Sequence, residues 1–352
     1  MSILKPLCGA DDELEENIAS FAEIQDVDYE LILSLTDLMD PALEIANRVR
    51  RRFPDAPFSV VIGAGVGVDA NPKVERLIAA ARVARNDILL ISDSNVRVAP
   101  QDISRTVEMF RDPSVGCVAN LFVGDGASNT GAVLECLHLL GFVFGGSLFA
   151  RAFGATCVVG KSMAIRRDVL EAIGGFEKFT GVLAEDQAMA LAIRAAGYRV
   201  VVAPPLVRNV VVRRTVSQAL SRQIRWNKIR YSFSRLAYTA EFLSMPVPLA
   251  IAAMLIALFA APHELGLTAM LVAATCATRI LQMAVMSVLA DADLGWRELM
   301  LTPVQELLQF AAHFVAYFSN EVDWRDHRIR LGAGTQIIPA RARSTERVIA
   351  RA

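Results

Sequence analysis

Short uninterrupted apolar runs alternate along this chain with stretches whose apolar residues recur at helical spacing. Residues 88–91 are four consecutive apolar residues between Asp87 and Ser92, and such a run predicts a strand that is buried on both faces of a parallel sheet. Further strands are predicted at residues 2–7, 29–35, 58–63, 115–122 and 158–165, and helices at residues 14–21, 41–53, 73–85 and 183–197. This alternation predicts a doubly wound α/β sheet.

Carboxylates follow two of the predicted strands. Asp37 comes after the second strand and Asp93 after the fourth. Ligands of open α/β sheets bind beyond the carboxyl ends of the strands, and a divalent cation could bridge such a carboxylate to a diphosphate. Taken alone, Asp93 is more simply interpreted as the cap of a loop. The same holds for Glu185-Asp186, since carboxylates in a first helical turn are favoured by the helix dipole.

The glycine-rich segment at residues 63–67 does not match a dinucleotide-binding fingerprint. Its glycines fall at i, i+2 and i+4, and Asp69-Ala70-Asn71-Pro72 precedes the next helix. We therefore interpret it as flexible backbone. His138 has no partner at metal-ligand spacing and is expected to be a packed or solvated side chain.

Beyond Pro204-Pro205 the chain becomes basic and aromatic, which suits a helix at an anionic membrane surface or a wall that binds phosphate. The basic residues are Arg208, Arg213, Arg214, Arg222, Arg225, Lys228, Arg230 and Arg235, and the aromatic ones are Trp226, Tyr231, Phe233 and Tyr238. RNA binding is the competing interpretation. It is disfavoured because residues 242–262, which follow at once, form an uncharged apolar run of spanning length.

Residues 265–290 form a second apolar run, interrupted by Arg279. A charged residue inside a membrane is costly, so Arg279 is expected to face a protein interior, a headgroup or a shallow level of the bilayer. Residues 299–318 are amphipathic and are expected to lie in the interface, whereas the apolar stretch at 132–153 is expected to be a core or membrane-dipping helix. The basic tail after Trp324 and the turn at 261–265, which has no Lys or Arg, predict that both flanks of the hairpin are cytosolic.

Composition agrees with a soluble part joined to a membrane part. The 352 residues are 54% hydrophobic, with a mean hydropathy of +0.39, too apolar for an ordinary soluble enzyme and too charged for a many-spanning transporter. The net charge of −1 gives no support for a nucleic-acid partner. Five scattered cysteines argue against a disulfide framework or structural zinc, and no cleavable signal peptide is expected at Met1.

Several short motifs occur in one order along the chain. They are Lys5-Pro6-Leu7, Asp37, Asn71-Pro72-Lys73, Asp93-Ser94, Glu185-Asp186 and Arg222-Gln223-Ile224-Arg225-Trp226, the last shortly before the membrane helices. This order resembles the ceramide glucosyltransferase family of membrane-bound glycosyltransferases. The resemblance implies a GT-A-like doubly wound mixed sheet followed by interfacial and transmembrane helices. It implies four parts: a glycosyltransferase domain (1–205), basic interfacial helices (206–241), a membrane hairpin with an interfacial helix (242–320) and a basic cytosolic tail (321–352).

The resemblance also implies roles for individual residues. Asp37 would contact the uracil or ribose of a UDP-sugar, with Lys5 and Lys73 at the same donor site. Asp93 would hold the diphosphate through Mg²⁺ or Mn²⁺, and Asp186 would be the catalytic base. Arg222, Arg225 and Trp226 are assigned to the diphosphate and acceptor region. The chain departs from the family pattern at Asp93-Ser94-Asn95, where the second metal-binding carboxylate is an amide.

The implied activity is inverting transfer of a sugar, glucose from UDP-glucose foremost, to the hydroxyl of a lipid acceptor such as ceramide. The expected location is a bacterial inner membrane, with several spans and with the active site on the cytosolic face. A glycosyltransferase acting on a hopanoid-type acceptor or on diacylglycerol with another UDP-sugar has the same layout, so both alternatives stay open. A non-catalytic membrane scaffold is the alternative of another class.

Overall fold

The computed structural model describes residues 1–63, 70–154, 157–324 and 327–338. The glycine-rich segment predicted to be flexible falls largely on residues 64–67, outside the described residues, as do Arg325 and the basic residues of the tail beyond 338.

An eight-stranded sheet forms the centre of the molecule. Its strands are β1 (Ser2–Pro6), β2 (Glu30–Leu35), β3 (Phe58–Ile62), β4 (Ile88–Ser92), β5 (Val96–Arg97), β6 (Val115–Asp125), β7 (Ser162–Arg166) and β8 (Arg199–Val210). They lie in the order β3-β2-β1-β4-β7-β6-β8-β5. The first four are mutually parallel, and β7 runs antiparallel to both β4 and β6. The predicted doubly wound mixed sheet is confirmed.

Helices connect these strands, and further helices follow the last strand of the sheet, β8. They are α1 (Leu14–Ala22), α2 (Pro41–Arg52), α3 (Pro72–Val83), α4 (Asp102–Glu108), α5 (Thr130–His138), α6 (Gly145–Ala152), α7 (Arg167–Ala172), α8 (Glu185–Ala195), α9 (Val216–Phe233), α10 (Arg235–Ala240), α11 (Pro246–Ala260), α12 (Leu265–Leu289), α13 (Trp296–Leu299) and α14 (Thr302–Phe318). A small antiparallel sheet of β9 (Glu321–Trp324), β10 (His327–Leu331) and β11 (Ile337–Ile338) follows. Asp40 and Asn71 cap α2 and α3 through their side chains, and a proline comes next in each helix.

Hydrophobic side chains cover both faces of the parallel strands. Ile3 and Leu4 are adjacent in β1 and fully buried, yet they belong to two separate apolar clusters on opposite faces. Leu89 and Leu90 of β4 divide in the same way. Helices therefore shield both faces, as the uninterrupted apolar runs predict.

The long apolar stretch before β7 is not one regular helix. A π-helical turn, Leu139–Phe144, joins α5 to α6. A Cβ atom on Gly141 or Gly145 would lie 2.8 Å from the side chains of Met283 and Met286, so the two glycines let this turn approach α12 closely. Among the described residues, Thr130–Ala152 and Pro262–Leu289 are long and apolar enough to span a membrane, but most of the former is buried inside the protein.

The predicted hairpin is asymmetric. Helix α12 has 25 residues and a largely exposed surface, whereas α11 has only 15 residues, about 22 Å of helix, which is less than a bilayer core. The segment Arg235–Ser244 before α11 is bent by 69° against it, and only together do they reach spanning length.

Helix α14 is amphipathic, as predicted, but its polar side faces inward. Gln305, Glu306 and Gln309 are buried, whereas Leu307 and Phe318 are exposed. Glu306 forms an ion pair with Arg279 of α12 at 2.7 Å, so this arginine faces the protein interior. An outward apolar face is typical of a helix in contact with lipid.

Strand β8 continues through the predicted domain boundary at 205/206 and ends at Val210. The division into four parts stays a prediction.

Candidate active site

Asp93 follows β4 at the carboxyl edge of the parallel strands and lies between two lysines. Its Oδ1 atom is 2.9 Å from Nζ of Lys73, and its Oδ2 atom is 2.8 Å from Nζ of Lys161. Burial alone would raise the pKa of the Asp93 carboxyl, but the two ammonium groups outweigh it and hold that pKa well below its usual range. Asp93 is therefore ionised at every physiological pH.

Lys73 connects this carboxylate to the start of α8. Its Nζ atom also lies 2.8 Å from Glu185, and Glu185 accepts a 3.0 Å hydrogen bond from the side-chain amide of Asn71. The same amide donates to the carbonyl of Val182 at 2.8 Å. Asn71 thus caps α3 with its oxygen and fixes the segment before α8 with its nitrogen, which positions Lys73 between two carboxylates.

Asp186 is turned away from Glu185. Its Oδ2 atom accepts the backbone N–H of Gly160, and Oδ1 accepts that of Gln187 at 2.8 Å. Burial raises the pKa of the Asp186 carboxyl to about 6, the charge of Glu185 adds to the rise, and Lys73 opposes it. A carboxylate that titrates near neutral pH is suited to accept a proton from a hydroxyl. A Cβ atom on Gly160 would lie 2.5 Å from Cβ of Asp186, so this close approach requires glycine.

Lys5 lies beneath the loop that carries Asp93. It is fully buried in β1, and its Nζ atom donates to the carbonyls of Asp93 at 2.8 Å and Val96 at 3.1 Å. Burial lowers the pKa of its ammonium to about 7. Lys5 therefore supports the backbone of the loop at residues 93–96. Its predicted contact with the sugar donor stays a prediction.

Asp37 lies at the same edge of the sheet, because β1 pairs in parallel with both β2 and β4. Its carboxylate accepts the backbone N–H of Met39 at 2.8 Å and is exposed. Leu38 and Met39 beside it are also exposed. An exposed carboxylate flanked by apolar side chains can meet a nucleoside, so its predicted role is compatible with its place.

Arg222 and Trp226 lie on the side of α9 that packs against α5. Arg222 forms an ion pair with the buried Glu135 at 2.9 Å, and its guanidinium lies 5.4 Å from the ring centre of Trp226. The ring of His138, which the sequence predicts to be packed or solvated, is buried and lies 5.9 Å from that of Trp226. Arg225 is half-buried on the same helix. Burial lowers the pKa of the Lys161 ammonium, Asp93 opposes this and the positive charge of Arg222 adds to it, so the motif lies within electrostatic reach of the lysine cluster.

Two site residues escape sequence reasoning. Lys161 stands inside residues 158–165, which the sequence predicts as one strand, whereas β7 begins only at Ser162. In the sequence, Lys161 is marked as a candidate site residue only by being a single charged residue within an apolar run. Glu135 is a single carboxylate in an apolar helix, and a buried ion pair with Arg222 or Arg214 cannot be inferred from either partner alone.

The side chains around Asp93 do not form a ligand set for a divalent cation. Both Asp93 oxygens are held by lysines. Oδ1 of Asn95 accepts a 3.1 Å hydrogen bond from Lys161, and Nδ2 of Asn95 donates to Asn209 at 3.0 Å. In the described part of the chain no group of three His, Cys, Asp or Glu side chains is placed to share a metal ion. Mg²⁺ is usually bound by one or two carboxylates together with water and substrate phosphates, and here both oxygens of the one carboxylate are already held by lysines.

The mixed sheet, with an ionised Asp93 held between two lysines and with Asp186, whose pKa is raised, at the start of α8, agrees with the predicted GT-A-like glycosyltransferase. The chain belongs to glycosyl transferase family 21, which matches residues 1–337. The predicted family and enzyme class are confirmed.

Relatives and solved structures agree with this assignment. Ceramide glucosyltransferase 3 of Caenorhabditis elegans is 26% identical over 96% of this chain and 74% of its own length. Ceramide glucosyltransferase 1 of the same organism is 24% identical over 96% and 72%. The mannosyltransferase PcManGT from Pyrobaculum calidifontis, solved with GDP-Man and Mn²⁺, superposes with a TM-score of 0.50 at 18% identity, over 89% of this chain and 86% of that protein. The last likeness concerns the fold alone.

Proposed function

We propose that the chain transfers glucose from UDP-glucose to a hydroxyl of ceramide, with inversion at the anomeric carbon. The observation that carries this proposal is the separation of Glu185 and Asp186: one neutralises a lysine of the donor site, while desolvation raises the pKa of the other, half-buried carboxyl to about 6. The two ceramide glucosyltransferases of C. elegans support the choice of donor sugar and acceptor.

The donor would lie along the carboxyl edge of the sheet. Asp37 would meet the uridine, and the diphosphate would lie near Lys73, Lys161 and Asp93, with Arg222 and Arg225 on the α9 side. As the bond between the anomeric carbon and the diphosphate breaks, negative charge develops on UDP. Fixed positive charges placed before the reaction stabilise this charge most where water is excluded.

Asp186 would remove the proton of the attacking hydroxyl. The hydroxyl oxygen forms its bond to the anomeric carbon on the face opposite to UDP, its proton passes to the Asp186 carboxylate, and UDP leaves with the bonding electron pair. A single base is enough for this direct displacement. The raised pKa of Asp186, about 6, supports its role, because a base works best when its pKa lies near the working pH.

The acceptor would approach from the side of α5 and α6. A small pocket there is lined by the apolar Phe122, Val143 and Phe144 and by the polar Asn120 and Ser147. On α6, Phe149 is exposed. An exposed aromatic side chain on this helix suits a lipid acceptor whose chains remain in the bilayer.

The exposed apolar surface of α12 would anchor the protein in a membrane, with α11 and α14 at its side. The exposed Arg213 and Arg235, near the two ends of α9, would face the anionic cytosolic leaflet. UDP-glucose is a cytosolic metabolite, so the active site would face the cytosol. No step of the proposed reaction is assigned to Mg²⁺ or Mn²⁺, because the side chains at Asp93 do not form a ligand set.

Purified full-length protein in detergent tests the proposal. UDP-glucose, UDP-galactose and GDP-mannose are each offered with ceramide, diacylglycerol and a polyhydroxylated hopanoid, and the anomeric configuration of the product is read by proton NMR. We expect a β-linked glucosylceramide from UDP-glucose. Transfer to another lipid but not to ceramide would overturn the acceptor, and the absence of both UDP binding and sugar transfer would favour the scaffold alternative.

A further inference from the structure

Lys161 is tied to Asp93 by both its backbone and its side chain. Its carbonyl accepts the backbone N–H of Asp93 at 3.1 Å, because β7 pairs with β4 in antiparallel register from Ser162 opposite Ser92. Its ammonium donates to Oδ2 of Asp93 at 2.8 Å and to Oδ1 of Asn95 at 3.1 Å. Within the described residues these contacts leave one N–H of the ammonium for a ligand.

Lys161 binds the side-chain oxygens that a divalent cation at this loop would need as ligands. A cation at a two-carboxylate loop binds oxygens of the first and third residues, which here are Asp93 and Asn95. Lys161 already holds one oxygen of each, and Asn95 is fixed from its other end by Asn209. A metal could enter only by displacing the lysine.

Lys161 supplies positive charge at the place where a divalent cation would supply it. Asp93 and Glu185 together with Lys73 and Lys161 are formally neutral, so without Lys161 these groups would carry a net negative charge beside an anionic ligand. The Lys161 side chain is only 9% exposed, so its charge is poorly screened by water and acts strongly on a neighbouring anion. Burying an ammonium is costly, and a structural carboxylate alone does not require two of them.

We infer that Lys161 binds the donor diphosphate in place of a metal ion, so that this enzyme holds UDP without a divalent cation. This inference rests on the proposed function, since it requires a nucleoside diphosphate at Asp93. Lys161 forms a charge-assisted hydrogen bond to a phosphate oxygen, while Asp93, whose other oxygen is held by Lys73, keeps its ammonium oriented.

Isothermal titration of full-length protein in detergent with UDP tests the inference without any turnover. Each protein is titrated in excess MgCl₂ and again in EDTA. For the unaltered protein we expect dissociation constants that agree within about threefold, since no metal links protein and ligand. Lys161→Met keeps the apolar stem and removes the charge, and it should weaken UDP binding in EDTA by about tenfold or more.

Two further variants make the result specific. Lys161→Arg keeps the charge and should retain UDP binding in EDTA within about threefold, which also covers the case that Lys161→Met does not fold. Lys178→Met removes an exposed lysine that donates to the carbonyl of Ile173, away from the cluster, and should bind UDP as the unaltered protein does.

UDP binding that EDTA abolishes in the unaltered protein would overturn the inference and leave the proposed function standing. So would Lys161→Met protein that binds UDP in EDTA as tightly as the unaltered chain. If UDP binds under neither condition, the proposed function fails together with the inference, and this outcome is distinct from the other two.

Discussion

Glu185 and Asp186 are adjacent at the start of α8, yet their carboxylates point to different partners. The Glu185 carboxylate lies 2.8 Å from the ammonium of Lys73, whereas that of Asp186 accepts the backbone N–H of Gly160. The Glu185 carboxylate is thereby neutralised by Lys73, whereas the pKa of the Asp186 carboxyl is raised to about 6. Two residues of the same chemistry acquire two roles because each meets a different environment.

Replacing each carboxylate separately tests this division. Asp186→Asn preserves the shape of the side chain and removes the proton acceptor, so kcat should fall about 10²- to 10⁴-fold. UDP affinity should change little, because the base acts on the acceptor hydroxyl in the transition state. The matched variant Glu185→Gln should retain turnover, because the Asp186 carboxylate that accepts the proton is still present. If Glu185→Gln is inactive while Asp186→Asn still transfers sugar, the assignment of the base is wrong.

The pH dependence of kcat/KM gives an independent test of Asp186. Its raised pKa of about 6 means that the carboxylate is protonated below that pH and cannot accept a proton. Activity should therefore fall about tenfold for each pH unit below about 6. In Glu185→Gln protein this acid limb should move to lower pH, because loss of the neighbouring negative charge lowers the pKa of Asp186. An acid limb that Asp186→Asn protein also shows would assign it to another group.

The sheet and its carboxylates could be predicted because their causes are local. An uninterrupted apolar run such as that before Asp93 requires cover on both faces, and the parallel order then brings Asp37 and Asp93 to one edge. The ion pair of Lys161 with Asp93 could not be predicted, since it joins residues 68 apart through the antiparallel entry of β7.

The orientation of α14 could not be predicted for a different reason. Periodicity identifies a polar and an apolar face, but it does not say which face is buried when the surrounding solvent is lipid. Here Glu306 faces inward because Arg279 offers it a partner on α12, and Phe318 faces outward.

Asn95→Asp should make the donor site depend on a metal. The new carboxylate would supply the second oxygen ligand beside Asp93. Asn209 can accommodate it, because its Nδ2 atom is buried with no hydrogen-bond partner among the described residues, and an amide flip would direct this atom at the carboxylate. We expect Mg²⁺ or Mn²⁺ to strengthen UDP binding about tenfold or more relative to EDTA, measured by titration calorimetry. Equal binding in both conditions would indicate that the loop cannot hold a cation even with two carboxylates.

The ion pair of Arg279 with Glu306 predicts a stability defect that a second substitution repairs. Nε of Arg279 lies 2.7 Å from Oε2 of Glu306, and Oε1 of Glu306 accepts the backbone N–H of Val247 at 2.8 Å, so the pair joins α12, α14 and the start of α11. Arg279→Leu leaves a buried, unpaired carboxylate and should cost about 3–5 kcal/mol. Arg279→Leu combined with Glu306→Gln should recover most of this loss, because glutamine carries no charge and still accepts from Val247.

The loss of stability in Arg279→Leu and its recovery in the double variant are measured by thermal unfolding in detergent. The quantity followed is the fraction of protein that remains monodisperse as the temperature rises. Arg297→Leu on α13 removes an exposed arginine and serves as the matched control, with an expected change within about 0.5 kcal/mol. A double variant as unstable as Arg279→Leu would mean that the arginine stabilises the protein through contacts other than its charge. If Arg279→Leu protein is as stable as the unaltered chain, apolar packing alone holds the three helices together.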